Sequence, residues 1–338
     1  MNKVFSIIIP TYNCSELLRV TLASILSQRK ELFECIIVDG KSTNSTMDVI
    51  LEYSNMYPGI IKFISETDNG IYDAMNKGID LATGEYLYFI GAGDILVENC
   101  LEKVKNKLNY KLEMIYGKVY FNDKDRIYGQ ELEKHHIINF NICHQAIFYN
   151  RNIFRILGKY NLRYSVYSDA EFNLRCFSNS SIKKEYINVL ICKYLGNGFS
   201  EKNTDISFKQ DFNKIIYNYF GKGYLKEEFN DLININRINK KIIGWSASTG
   251  YYELASKYKL NINYFVDSDI KKRNNCVNGI PIYSPEKLKL ENKDEVYILI
   301  FSNTYYFEIK AWLECNGFKE NVNYVYCSKN FLDLVHSI

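Results

Sequence analysis

Ser65–Asp94 reads SETDNGIYDAMNKGIDLATGEYLYFIGAGD: a loop, a helix, a turn, a buried strand and an acidic strand end in one continuous run. Glu66, Asp68 and Asp73 crowd the loop and the first helical turn, where carboxylates suit the positive end of a helix. Ile71, Ala74, Met75 and Ile79 fall on one helical face. Gly84 stops the helix, and Tyr86–Ile90 is apolar and aromatic without alternation, the pattern of a strand covered on both faces. Gly91-Ala92-Gly93 lets the chain turn tightly before Asp94. Open α/β sheets place ligand chemistry at the carboxyl edge of their parallel strands, so Asp94 is the candidate metal and diphosphate ligand.

Working outward, the N-terminal side repeats the same alternation. Val4–Ile9 is a strand closed by Pro10, Glu16–Gln28 has helical periodicity, Phe33–Val38 is a strand ending in Asp39-Gly40, Met47–Tyr53 is a helix behind Ser/Thr/Asn caps, and Ile60–Ile64 is a third strand. Strand and helix alternating in this way predict an α/β fold with a mostly parallel sheet and helices on both faces. Beyond Leu101 the pattern loosens to a hairpin (Met114–Tyr120 and Arg126–Tyr128), a strand ending the segment Asn141–Tyr149, a helix over Ser168–Cys176, a strand over Ile187–Tyr194 and an amphipathic helix over Phe208–Phe220. Polar residues dominate to about Lys240. From Lys241 a smaller α/β unit begins. The expected organisation is a first domain over 1–222, a linker over 223–240 and an accessory domain over 241–338.

Composition excludes several classes. The chain of 338 residues is 47% hydrophobic and 24% charged with a net charge of +3, ordinary for a globular protein and too mild to imply nucleic acid. Nine cysteines without a CxxC argue against a disulfide framework or a zinc ribbon and for reduced thiols in a cytoplasm. The chain enters a strand at once, with no signal-peptide core of adequate length, and no apolar run approaches the ~20 residues that span a bilayer. Its scattered Lys and Tyr suit, at most, peripheral contact with anionic lipid.

Three strand ends carry polar, turn-forming or acidic residues: Thr11-Tyr12-Asn13, Asp39 and Asp94. In a parallel sheet these lie on one edge and converge on one ligand, although Asp39-Gly40 by itself is turn chemistry. From spacing alone, Asp169 is as much an N-cap of its helix as a general base. In the C-terminal unit, GWSASTG (Gly244–Gly250) has serines where a dinucleotide fingerprint needs glycines, and Asp267 stands near the usual ribose-binding position.

SIIIPTYN (Ser6–Asn13), IIVDGKSTNST (Ile36–Thr46), the run Ser65–Asp94, CHQAIFYN (Cys143–Asn150) and YSDAEFNLR (Tyr167–Arg175) resemble, in order and spacing, the family 2 glycosyltransferases. The resemblance covers the first ~200 residues and is nearest to the branch that builds bacterial capsule, O-antigen or exopolysaccharide units. It implies a GT-A fold with an appended Rossmann-like domain, and an inverting transfer of a hexose or N-acetylhexosamine from a nucleotide sugar, a UDP-sugar first, to a glycan or lipid-linked acceptor. It implies that Pro10, Thr11, Tyr12, Asn13 and Asp39 hold the nucleotide, with Asp39 on the uracil N–H. Asp68, Asn76 and Lys77 would approach ribose and diphosphate, with Gly93 in the turn before the metal site. His144 and Gln145 would line the donor or acceptor pocket, and Asp169 would be the catalytic base with Glu171 as the alternative. Asp94 would bind Mg²⁺ or Mn²⁺, although Gly91-Ala92-Gly93 lacks the first acidic position of the usual motif. Gly196–Ser200 with Lys202 resembles a loop that closes over the diphosphate. The expected location is cytoplasmic, with peripheral contact at the inner membrane face and self-association left open. Two other readings are a sugar-nucleotide-modifying enzyme acting through the C-terminal unit, and a non-catalytic nucleotide-sugar-binding protein.

Overall fold

The structure, a computed structural model, describes residues 3–109, 111–196, 203–234, 239–247, 260–327 and 334. The chain divides into two compact units, Met1–Tyr219 and Phe220–Ile338.

In the first unit, β1 (Phe5–Thr11), β2 (Phe33–Asp39), β3 (Ile61–Ser65) and β4 (Tyr86–Phe89) alternate with α1 (Ser15–Leu26), α2 (Thr46–Met56) and α3 (Ile71–Leu81). Every residue of β1, β2 and β4 is buried, as their mostly apolar, non-alternating character requires of strands covered on both faces. They pair in parallel in the order β3-β2-β1-β4. Helix α3 comes so close to β1 that a Cβ on Gly78 would stand 2.4 Å from Ile8 Cγ2.

The sheet then changes direction. After β5 (Ile95–Leu96) and α4 (Cys100–Lys105) come β6 (Glu113–Phe121), β7 (Arg126–Tyr128), β8 (Ile147–Asn150), α5 (Arg151–Leu157), α6 (Ser168–Ser178) and β9 (Lys183–Tyr194). Among the described residues the sheet has nine strands. β8 is antiparallel to both β4 and β6, and β6 is parallel to β9. The sheet is therefore mixed, parallel only through its first four strands and again at β6–β9. The strand expected to end the segment Asn141–Tyr149 is β8, and a 3-10 turn at His144–Ala146 precedes it. Helix α5 is capped by Asn150, whose side chain accepts from Asn152 N at 3.0 Å.

In the second unit, short helices Lys222–Glu228 and Asn230–Ile233 occupy the start of the stretch expected as linker. Leu225, Phe229 and Leu232 are buried at helical spacing among lysines, glutamates and asparagines, which hides their periodicity. The second sheet has six strands among the described residues: β10 (Lys241–Trp245), β11 (Tyr264–Val266), β12 (Cys276–Val277), β13 (Ile280–Tyr283), β14 (Val296–Ile300) and β15 (Tyr324–Tyr326), in the order β12-β13-β11-β10-β14-β15. All pairs are parallel except the hairpin β12–β13. The glycine of β10 serves packing: a Cβ on Gly244 would lie 2.3 Å from the Phe265 ring. Asp267 is buried and its carboxylate accepts from Ala247 N and Asp269 N and pairs with Lys272. The rest of the GWSASTG turn and the helix expected through Leu254 and Ala255 lie outside the described residues.

Candidate active site

At the carboxyl edge of β1 and β2, two loops are tied to each other. Asn13, at φ 50°, accepts from Thr43 N at 2.8 Å, its own N–H donates to Ser42 Oγ at 2.8 Å, and Cys14 N donates to Thr46 Oγ1 at 2.8 Å. Ser42, Thr43 and Thr46 thus lock the Pro10–Asn13 loop, whereas Ser45, at the N-cap of α2, makes no side-chain capping bond. Pro10 and Thr11 are buried in β1, whereas the Tyr12 ring is 63% exposed. A Cβ on Gly40 would meet Asp68 Oδ2 at 2.6 Å and Tyr12 Cδ2 at 3.3 Å, so Tyr12, Gly40 and Asp68 form one cradle.

Three of the residues expected to touch a ligand, Asp39, Asn76 and Lys77, also make bonds within the chain. Asp39 is fully buried and accepts from Ser42 N at 3.0 Å, Ser42 Oγ at 2.5 Å and Ser65 Oγ at 2.6 Å. These three bonds leave one acceptor site on Oδ1. Asn76 uses both ends of its amide on the Tyr160 backbone, at 2.9 and 3.0 Å, and so braces the loop before α6. Lys77 holds the loop ahead of α3, donating to Thr67 O at 2.7 Å and pairing with Glu66 at 3.0 Å.

Asp94 follows a turn that only glycine makes without strain, since Gly93 has φ 104°. Thr21 of α1, fully buried, receives Gly93 N at 2.9 Å and donates to Asp94 O at 2.8 Å. Gly93 therefore spends its amide on the turn. Nothing in the α1 sequence marks Thr21 for this task. The Asp94 carboxylate is buried, and Gln145 Nε2 donates to its Oδ2 at 3.0 Å. Burial raises its pKa, against lowering contributions from Gln145, His144 and the backbone of Leu195 and Gly91. Among the described residues no lysine or arginine pairs with it. A buried carboxylate without a counter-cation fits a divalent ion that takes one protein oxygen and completes its shell with phosphate oxygens and water.

Asp169 lies at the start of α6, buried, with Tyr72 of α3 and Asn141 on its two oxygens: Tyr72 Oη is 2.8 Å from Oδ1, and Asn141 Nδ2 donates to Oδ2 at 3.3 Å. His144 Nδ1 stands 3.8 Å from Oδ2. The adjacent residues His144 and Gln145 thus bridge the two carboxylates, one toward Asp169 and the other on Asp94. His144 Nε2 is buried and has no hydrogen-bond partner among the described residues. Glu171 points elsewhere. It binds Arg175 and Tyr219 and lines a separate polar cleft of about 330 Å³ with Arg163, Asp211 and Lys214, as a residue two along a helix must. Tyr72 and Asn141 are the partners that sequence reading misses, because a tyrosine inside a helix and an asparagine in a loop carry no signal of their own. The loop expected to close over the site, through Ser200 and Lys202, lies outside the described residues.

The family model described as glycosyl transferase family 2 matches residues 6–185, more than half of the chain. The chain belongs to glycosyl transferase family 2. Among relatives of this glycosyltransferase is a PGL/p-HBAD biosynthesis glycosyltransferase of Mycobacterium bovis (strain BCG / Pasteur 1173P2), 40% identical over 195 residues, 56% of this chain and 76% of that one. A poly(ribitol-phosphate) beta-N-acetylglucosaminyltransferase, TarP, of Staphylococcus aureus (strain N315) is 28% identical over 55% of this chain and 62% of its own length. Among solved structures, S. aureus TarS aligns with TM-score 0.54 at 16% identity, over 73% of this chain and 45% of that chain. TarS 1-349 in complex with UDP-GlcNAc aligns with TM-score 0.53 at 17% identity, over 67% of this chain and 72% of that one. At such identity it is the fold that is shared, and it is the GT-A fold of glycosyltransferases.

Proposed function

We propose that this glycosyltransferase transfers a hexose or N-acetylhexosamine, with inversion, from a UDP-sugar to a glycan or lipid-linked acceptor at the cytoplasmic membrane face. One observation carries the reading: the adjacent residues Gln145 and His144 stand between the two carboxylates, Gln145 donating to Asp94 at 3.0 Å and His144 Nδ1 lying 3.8 Å from Asp169. A UDP donor is supported by TarS, which binds UDP-GlcNAc, and a glycan acceptor by the relatives' names.

In this reading the nucleoside lies against Tyr12, Gly40 and Asp68, and the diphosphate reaches toward Asp94. Asp94 would hold Mg²⁺ or Mn²⁺, which when bound supplies positive charge for the departing diphosphate. Asp169 takes the proton of the acceptor hydroxyl while its oxygen bonds to the anomeric carbon. The bond from that carbon to the diphosphate breaks on the opposite side, and its electron pair leaves with the nucleoside diphosphate. A single displacement of this kind inverts the anomeric centre.

The test is UDP release from a panel of UDP-sugars with Mn²⁺, with and without saccharide acceptors. Asp94→Ala should lower release at least 100-fold. Asp169→Asn should keep donor affinity within about threefold while transfer falls about 1,000-fold. Parent-like behaviour of both variants would sink the site assignment. Turnover that resides in 241–338 would favour chemistry in the C-terminal unit, and binding without turnover on any acceptor would favour a non-catalytic role.

A further inference from the structure

Tyr72 is buried on α3, and its hydroxyl oxygen stands 2.7 Å from the Val166 carbonyl and 2.8 Å from Asp169 Oδ1. A phenol carries one proton to donate, and both neighbours only accept while Asp169 is ionised. One proton cannot lie on both lines. Val166 is itself fixed, because Asp205 accepts from its N–H at 2.9 Å. The hydroxyl keeps its proton, since burial first and the Asp169 charge second push its pKa far above the ordinary tyrosine value. The carboxylate, being charged, is the stronger acceptor. Once it gains a proton on either oxygen, the carbonyl becomes the better partner.

We propose that Tyr72 is a positioning residue that follows the proton on Asp169, donating to the carboxylate before transfer and turning to the Val166 carbonyl afterwards. The proposal rests on the reading of Asp169 as the general base. While it donates, the hydroxyl holds the carboxylate in one rotamer and stabilises the charge that the base carries before transfer. The other groups facing Asp169 are Asn141, Cys143 and His144 on the segment before β8, Tyr149 on β8 and Tyr160 on the loop before α6. Burial pushes the thiol and the two phenols up, so they stay neutral at and below neutral pH, and among the groups named His144 is the one with a basic nitrogen.

The test is the pH dependence of kcat/KM for transfer by full-length Tyr72→Phe, with donor Kd and unfolding temperature measured alongside. The acidic limb should move up by about one pH unit, kcat should fall about 10- to 100-fold, and donor Kd should stay within about threefold. A rate loss with an unshifted limb, or no change at all, overturns the proposal. Should Tyr72→Phe unfold, 3-fluorotyrosine at position 72 supplies a more acidic hydroxyl in nearly the same volume and should move the limb to lower pH, with an unmoved limb counting against. Asp169→Asn separates the two levels. Transfer retained by Asp169→Asn removes the base reading itself, whereas transfer lost there with an unchanged Tyr72→Phe profile removes only the role of Tyr72.

Discussion

Gly40 shows how little space decides a ligand site. Its missing Cβ leaves room between Tyr12 and Asp68, and a methyl group there would overlap the Asp68 carboxylate at 2.6 Å. Both neighbours are side chains able to swing aside, so Gly40→Ala should cost under ~1 kcal/mol of stability. It should nonetheless raise the donor KM about tenfold with kcat within about threefold, the signature of lost ground-state binding. Steady-state kinetics across a UDP-sugar titration checks this, and an unchanged KM would remove the nucleoside from this cradle. Gln145 makes a second case. Its amide is the side-chain donor to buried Asp94, so Gln145→Ala should weaken Mn²⁺-dependent activity about 10- to 100-fold, read from the Mn²⁺ concentration that gives half-maximal UDP release.

At the scale of elements, the edge of the sheet opposite the candidate site is stapled by one carboxylate. Glu34 of β2 accepts from Ser6 Oγ at 2.6 Å, Thr83 N at 2.6 Å and Thr83 Oγ1 at 2.8 Å, and pairs with Lys62 at 2.7 Å. Burial raises its pKa, but Lys62, Ser6 and Thr83 outweigh burial and bring it to about 2. The folded pKa lies below the unfolded one near 4.5, so the stabilisation is fully present above pH ~4.5 and is lost as pH falls toward ~2. Glu34→Gln should therefore cost about 2–4 kcal/mol at pH 7 and much less near pH 2, measured by urea unfolding at both pH values. The same staple explains the glycine of the ATGE segment. A Cβ on Gly84 would stand 2.7 Å from the backbone of Phe5 and Ser6, which cannot swing away, so Gly84→Ala should cost about 1–3 kcal/mol. This edge is structural, although its sequence is contiguous with the run that ends at Asp94.

For the whole molecule, a ligand that binds only the folded state stabilises it by about 2.7 kcal/mol at one hundred times its Kd. UDP with Mn²⁺ should accordingly raise the unfolding temperature of the first transition by about 5 °C. Chelation of the metal, or Asp94→Ala, should remove most of that rise, and a rise that survives both would uncouple nucleotide binding from Asp94. Among the described residues no helix is long and apolar enough to cross a membrane, and all nine cysteines are free thiols.

The local pattern of the chain was enough for the parallel half of the fold. Mostly apolar, non-alternating runs at Phe5–Thr11 and Phe33–Asp39, a one-faced helix at Ile71–Leu81 and glycine before Asp94 each depend on neighbours in sequence, and the acidic strand ends followed from them. Tertiary structure decided what each polar side chain is free to do. Asp39 and Asn76 read as ligand contacts, and the fold also bonds them to Ser42, Ser65 and the Tyr160 backbone. Thr21, Asn141 and Tyr72 read as ordinary residues, yet they hold the turn at Asp94 and the carboxylate of Asp169. Periodicity reports which face is buried, whereas a hydrogen bond between residues about a hundred positions apart exists only once the chain has brought them together.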